Sequence, residues 1–204
     1  MLLYIAPNPA PNPRRVILYL AEKGLTLPIR EIALFKGEHK SPEFLAKYPY
    51  GQLPALELDD GQVIGESVAI CRYLEGLHPE PPLFGTEPLE VAQIDMWLRR
   101  VDLTLGMSIR HIWMHTHPLT AQIVSPRFAD FGESHRGHAL AAMGRIDEAL
   151  ADQEFLAGVQ FSMADITLLT TLDFAAFIGV EVPPDLGALK AWHARVSARP
   201  SVTG

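Results

Sequence analysis

GQLPALELDDGQVIGESVAICRYL, residues 51–74, is the stretch whose reading decides the rest of the chain. Ala55-Leu56-Glu57-Leu58 is a short apolar strand, Asp59-Asp60-Gly61 a turn signal, and Gln62-Val63-Ile64 a second strand. Glu66-Ser67 then opens an amphipathic helix with Ile70, Tyr73, Leu74 and Leu77 on one face, and Gly76 and Pro79 signal its stop. Pro54 stands at the mouth of the first strand, where the missing N–H is tolerated. A cis Leu53–Pro54 bond there turns the N–H and C=O of Leu53 sideways, towards a ligand. Ser67 brings a hydroxyl and a backbone N–H to a helix start, which favours carboxylates. A strand edge beside a helix N-terminus grips a short acidic peptide at both ends. Ser67 also reads as a plain N-cap, and Pro54 as a plain turn residue.

Gly51-Gln52-Leu53-Pro54-Ala55, Glu66-Ser67 and the upstream Gly37-Glu38-His39-Lys40-Ser41-Pro42-Glu43-Phe44-Leu45 resemble the glutathione-binding half of cytosolic glutathione S-transferases, bacterial members included. The resemblance runs over nearly the whole chain. It implies an α/β thioredoxin-like domain at residues 1–79, a linker at 80–88 and an all-helical C-terminal domain at 89–204. It further implies glutathione as co-substrate, held by His39, Lys40, Gln52, Leu53, Pro54, Glu66 and Ser67, and a homodimer. His39 and Lys40 align with residues that bind the glycine carboxylate in several classes; a solvated charged loop is the plain alternative.

The 204 residues are 48% hydrophobic and 20% charged, as in ordinary soluble globular proteins. A net charge of −7 argues against nucleic acid as the main partner. No apolar run is long enough for a membrane span, and no basic n-region marks a signal peptide. The single cysteine, Cys71, excludes an internal disulfide framework, so a reducing cytoplasm is the expected compartment.

Leu2 to Ile5 is a short buried strand. The four prolines of Ala6 to Pro13 call for an extended loop, with helix from Arg14 to a stop at Gly24. Leu27 to Ile32 is a second strand, parallel to the first, and Ser41-Pro42-Glu43 starts a short helix. The proline-rich residues 78–88 are the domain boundary. Beyond it, long helices are expected from Leu89 to about His115 and from about Arg127 to Leu150, and a last one from Leu186 to Ala198. Ser162 and Asp165 form a capping box ahead of a helix apolar almost all round, so Asp165 reads as structural.

A thiol must become a thiolate to attack. In family members a tyrosine, serine or cysteine near the end of the first strand donates to the sulfur. Registered on Arg14-Arg15-Val16, the serine position falls on Ala10 and the position two residues later on Asn12, while Tyr4 lies inside the strand and reads as packing. Asn12 carries an amide donor, a feature shared with the disulfide-reducing Nu class, whereas other features are phi- or theta-like. Asn12 and Asn8 alternatively only shape the loop through Asx-turns. Met107 and Trp113 are candidates for an apolar substrate pocket that the resemblance places between the domains; core packing is the plain alternative. Gly65-Glu66-Ser67-Val68-Ala69 falls one glycine short of a nucleophile elbow. The pairs His111/His115 and His135/His138 lack the glutamate of a zinc helix, so no metal is expected. Three activities stay open: conjugation to an electrophile, glutathione-dependent disulfide reduction, and a non-catalytic glutathione-fold binding module.

Overall fold

The computed structural model describes residues 1–7 and 9–204. Residues 1–82 form one unit and 83–204 another.

In the first unit, β1 (Leu2–Ile5), β2 (Ile29–Glu31), β3 (Ala55–Glu57) and β4 (Val63–Gly65) make one sheet in the order β2-β1-β3-β4. β1 and β2 run parallel, joined by α1 (Pro11–Glu22), since a parallel pair needs a crossover connection. The β1–β3 and β3–β4 pairs are antiparallel, giving the mixed thioredoxin-like sheet. Alternation puts Tyr4 and Ala55 on one face, under Phe44 of α2 (Pro42–Lys47), whose ring meets Tyr4 edge-on at 5.5 Å. Leu3 and Leu56, both 0% exposed, point to the other face. α1 packs against α3 (Ser67–Leu77). The Tyr4 hydroxyl donates to Glu57, whose carboxylate also takes Lys47 at 2.9 Å; Tyr4 is a packing residue with its polar end occupied.

α1 starts at Pro11, three residues earlier than the proline content suggested. The first helical N–H groups have no intrahelical acceptor, so Pro11 and Pro13 forfeit nothing in the first turn. At the other end Gly24, at φ +63°, closes a Schellman motif, with Leu25 N–H on Leu20 C=O at 2.9 Å. Lys23 is buried there, paired with Glu75 at 2.8 Å and donating to the carbonyls of His78 and Pro81 at 2.7 and 2.6 Å. Tyr19 donates to the same Glu75 at 2.6 Å, so this network ties α1 to the end of α3.

The second unit is all helical: α4 (Pro88–Arg100), α5 (Met107–Thr116), α6 (Ala129–Leu150), α7 (Met163–Phe177), α8 (Gly187–Ser197) and the short α9 (Pro200–Thr203). The single long helix expected from Leu89 is divided by a π-helical segment, Val101–Gly106. Gly106 sits where a Cβ would come within 3.3 Å of the Val101 carbonyl, so a side chain there would crowd the widened turn.

α7 is the core helix, buried on nearly every side. Its capping box is present, with Ser162 Oγ accepting from Ala164 N–H and Asp165 accepting from Ser162 N–H at 3.0 Å. Asp165 is 0% exposed and also takes the Ser162 hydroxyl, Leu156 N–H at 2.8 Å and Trp192 Nε1–H at 2.9 Å. Burial pushes its carboxyl up from the ordinary value against the opposing pull of these donors. Asp147 of α6 caps a different helix, α8, by accepting Leu189 N–H at 2.8 Å.

Candidate functional site

The antiparallel register of β3 and β4 pairs Ala55 with Gly65. Continued one residue, it sets Pro54 opposite Glu66, and continued again, Leu53 opposite Ser67. The β1–β3 register pairs Tyr4 with Ala55, so the end of β1 lies beside Pro54. The Leu53–Pro54 bond is cis. Among the described residues, neither backbone group of Leu53 bonds to another backbone group. A strand edge with open polar groups therefore faces the start of α3.

That helix start is unusual. Its N-cap is Glu66, not Ser67, and no side chain caps it. Glu66 has φ +63° and ψ 117°, the one non-glycine residue with positive φ among the described residues. Such a backbone is held by its surroundings at a penalty of about 1–3 kcal/mol. Ser67 is the first helical residue and is 5% exposed. The N–H groups of Ser67, Val68 and Ala69 precede the first intrahelical bond, from Ile70 to Glu66. The elbow likeness ends here, because the left-handed residue is Glu66 and not the serine.

His39 and Lys40 come to this region through Gly51, whose φ is +54°. A Cβ on Gly51 would lie 2.6 Å from the His39 carbonyl and 3.0 Å from Lys40 Nζ, so only glycine allows that approach. Lys40 Nζ donates to Tyr50 C=O at 3.0 Å. His39 Nδ1 is buried without a partner, and burial, then Lys40, pulls its pKa down. Gln52 is exposed next to Gly51.

Asn12 is exposed at the second position of α1, in a helix rather than in the loop expected for it. With prolines on both sides it has the sole N–H among the first three residues of that helix. Ala10 is the N-cap and offers no side-chain bond; Asn8 lies outside the described residues. Cys71 is 0% exposed and its thiol is pushed up by burial, so it is not a nucleophile.

Met107 and Trp113 belong to the second unit, six residues apart on α5, hence about 120° apart around the helix. Met107 is 38% exposed. Trp113 packs on His117 at 4.5 Å and on Phe174 at 5.3 Å. The two histidine pairs meet: His111 Nδ1 and His135 Nε2 are 3.1 Å apart, and burial lowers both pKa values. Among the described residues no three His, Cys, Asp or Glu side chains form a metal-holding group. Tyr48 and Gly65, which abut each other next to Glu66 in the chain, were not anticipated; the only local signal was a glycine immediately before Glu-Ser.

The sequence profile of the glutathione S-transferase N-terminal domain matches residues 10–77, and that of the C-terminal domain residues 112–200. Glutathione S-transferase 2 of Saccharomyces cerevisiae is 40% identical over 99% of this chain and 88% of its own length. The crystal structure of Gtt2 from the same yeast superposes with a TM-score of 0.93 at 40% identity, covering 99% of this chain and 98% of that one. A glutathione S-transferase domain-containing protein of Marinobacter aquaeolei superposes at 0.94 with 39% identity over the whole of both chains.

Proposed function

The chain belongs to the cytosolic glutathione S-transferase family, and from that premise we propose that it binds glutathione across Leu53–Pro54 and Glu66–Ser67 and conjugates it to a small electrophile. Glutathione is its co-substrate. The observation that carries the site assignment is the register placing an open strand edge opposite an uncapped helix start. The peptide groups of Leu53 pair with the cysteinyl backbone, and Ser67 with the N–H groups of the α3 first turn takes the γ-glutamyl carboxylate. Glu66 takes the γ-glutamyl amine. His39 and Lys40, with Gln52 beside them, take the glycine carboxylate.

The thiol of glutathione loses its proton to solvent, helped by the amide of Asn12. The thiolate forms a bond to the electrophilic carbon, and the leaving group departs with its electron pair. A second reading is favoured by one feature: Ala10 puts no hydroxyl where serine-type members have one. In that reading the thiolate attacks the glutathione sulfur of a mixed disulfide, the S–S bond breaks, the substrate sulfur leaves as thiolate, and glutathione disulfide is the product. A non-catalytic glutathione-binding module is the third reading.

Phe35 and Tyr50 in one unit and Leu89 and Met96 in the other are exposed at 71%, 75%, 69% and 37%, surface that a homodimer would cover. A single buried cysteine fits a cytoplasmic setting.

Calorimetric titration with glutathione, together with turnover of an aryl halide and of a glutathione mixed disulfide, tests these readings. Ser67→Ala should weaken binding about 10-fold without lowering the melting temperature. Unchanged affinity in both Ser67→Ala and Glu66→Ala would refute the site. Aryl halide turnover supports conjugation, turnover of the disulfide alone supports the second reading, and binding with neither supports the module.

A further inference from the structure

Tyr48 follows α2, and its ring sits in the core cluster with Tyr4, Ile32, Phe44 and Ala55. Its hydroxyl end reaches the spot where a side chain at residue 65 would stand. A Cβ on Gly65 would lie 1.8 Å from Tyr48 Oη and 2.5 Å from its Cζ. Gly65 is the last residue of β4 and is followed directly by Glu66 at φ +63°. The other end of Tyr48 matters too: its carbonyl accepts Gly51 N–H at 2.9 Å, at the glycine that lets His39 and Lys40 approach. Burial and then the Glu66 carboxylate push the Tyr48 phenol up, which agrees with its lying near that side chain.

We propose that Tyr48 is a positioning residue: seated on Gly65, it holds Glu66 in its left-handed conformation and so presents Glu66 and Ser67 to the γ-glutamyl end of glutathione. The physical ground is that an isolated glutamate does not stay at positive φ. Rotation of the 65–66 peptide would have to displace a ring anchored in the core. The absence of a side chain at residue 65 is what lets the ring end seat there. The inference rests on the glutathione reading of Glu66 and Ser67.

Glutathione affinity and thermal melting of the full chain, measured on a set of variants, test it. Tyr48→Phe, which keeps the core ring, should bind about 2-fold to 3-fold more weakly, and Tyr48→Leu about 10-fold. Gly65→Ala should lose both melting temperature and affinity, since its methyl group meets the Tyr48 ring. The double variant Tyr48→Leu/Gly65→Ala removes that clash. It should regain melting temperature relative to Gly65→Ala but not glutathione affinity, because nothing then braces Glu66. If Tyr48 were only a packing residue, the double variant would recover both, and that result overturns the proposal, as does wild-type affinity in Tyr48→Leu. Ser67→Ala serves as the control. If it binds weakly while the Tyr48 variants bind normally, the proposal falls and the site stands. If Ser67→Ala and Glu66→Ala both bind normally, the site reading and the proposal fall together.

Discussion

Helix α7 begins on Ser162 with its side chain on Ala164 N–H and with Asp165 accepting from Ser162, Leu156 and Trp192, whereas α3 begins on Glu66 with no side-chain cap and a backbone at φ +63°. The two helix ends have the same electrostatic character, with N–H groups pointing out of the first turn. At α7 the chain fills that end with its own groups and buries it. At α3 the end is left open, opposite Leu53–Pro54, where strand pairing also stops. A carboxylate that accepts four donors in the interior is part of the scaffold. A helix start held open beside a strained glutamate is available to an anionic ligand.

The contrast is broken most forcefully at Asp165. Asp165→Ala leaves Trp192 Nε1–H and Leu156 N–H buried without acceptors, beyond the loss of the capping box. Stability should fall by about 3 kcal/mol or more, read as a lowered urea midpoint. Protein that remains folded should bind glutathione as wild type does. A variant with a normal midpoint and no glutathione affinity would make Asp165 part of the site.

Glu66→Gly sharpens the contrast from the other side. Glycine accepts φ +63° freely but adds freedom to the unfolded chain, so the two effects nearly offset. The melting temperature should stay within a few degrees of wild type or rise, while glutathione affinity drops about 10-fold. Retained affinity would mean that Glu66 only shapes a turn.

Asn12→Ala should have a smaller effect. A neutral hydrogen bond contributes about 0.5–1.5 kcal/mol, so the pKa of bound thiol should rise by no more than about one unit. Thiolate absorbance of the glutathione complex against pH reads it directly. Superimposable titrations would mean that Asn12 only shapes the start of α1, and that the sulfur is activated by backbone N–H groups or not at all.

The smallest effect expected is one of pH on the second unit. His111 and His135 have folded pKa values lowered by burial, with Arg110, His115 and His138 adding repulsion. The unfolded chain therefore takes up protons first as pH falls through about 6.5, and stability declines below that value. The melting temperature should fall from pH 7.5 to pH 5.5, and less so in His135→Asn. An equal fall in that variant would assign the loss to other groups.

Legibility in the sequence follows range along the chain. The β3–β4 hairpin, the stop at Gly24 and the Ser162–Asp165 box depend on residues no more than ten positions apart, and each stands as expected. The start of α1 was misplaced because prolines were counted as breakers, although at Pro11 and Pro13 the missing N–H has no intrahelical partner to lose. In the binding region, Leu53-Pro54 and Glu66-Ser67 were recognisable as two fragments. That a strand edge stands beside a helix start was expected too; the residue-by-residue register, Ala55 opposite Gly65, came only with the pairing of β3 and β4.

By itself, then, the sequence determined the alternation of short strands and helices up to the proline-rich boundary, the helical unit after it, and which helix carries a capping box. These follow from local periodicity and local hydrogen bonding, which are written within one or two turns of chain. Only the tertiary structure decided that Trp192 completes the shell of Asp165, that Asp147 caps α8, that Lys23 is buried on the end of α3, and that Tyr48 occupies the space above Gly65. Each joins residues 17 to 52 positions apart. Such contacts are selected by close packing of whole elements, which no spacing rule encodes.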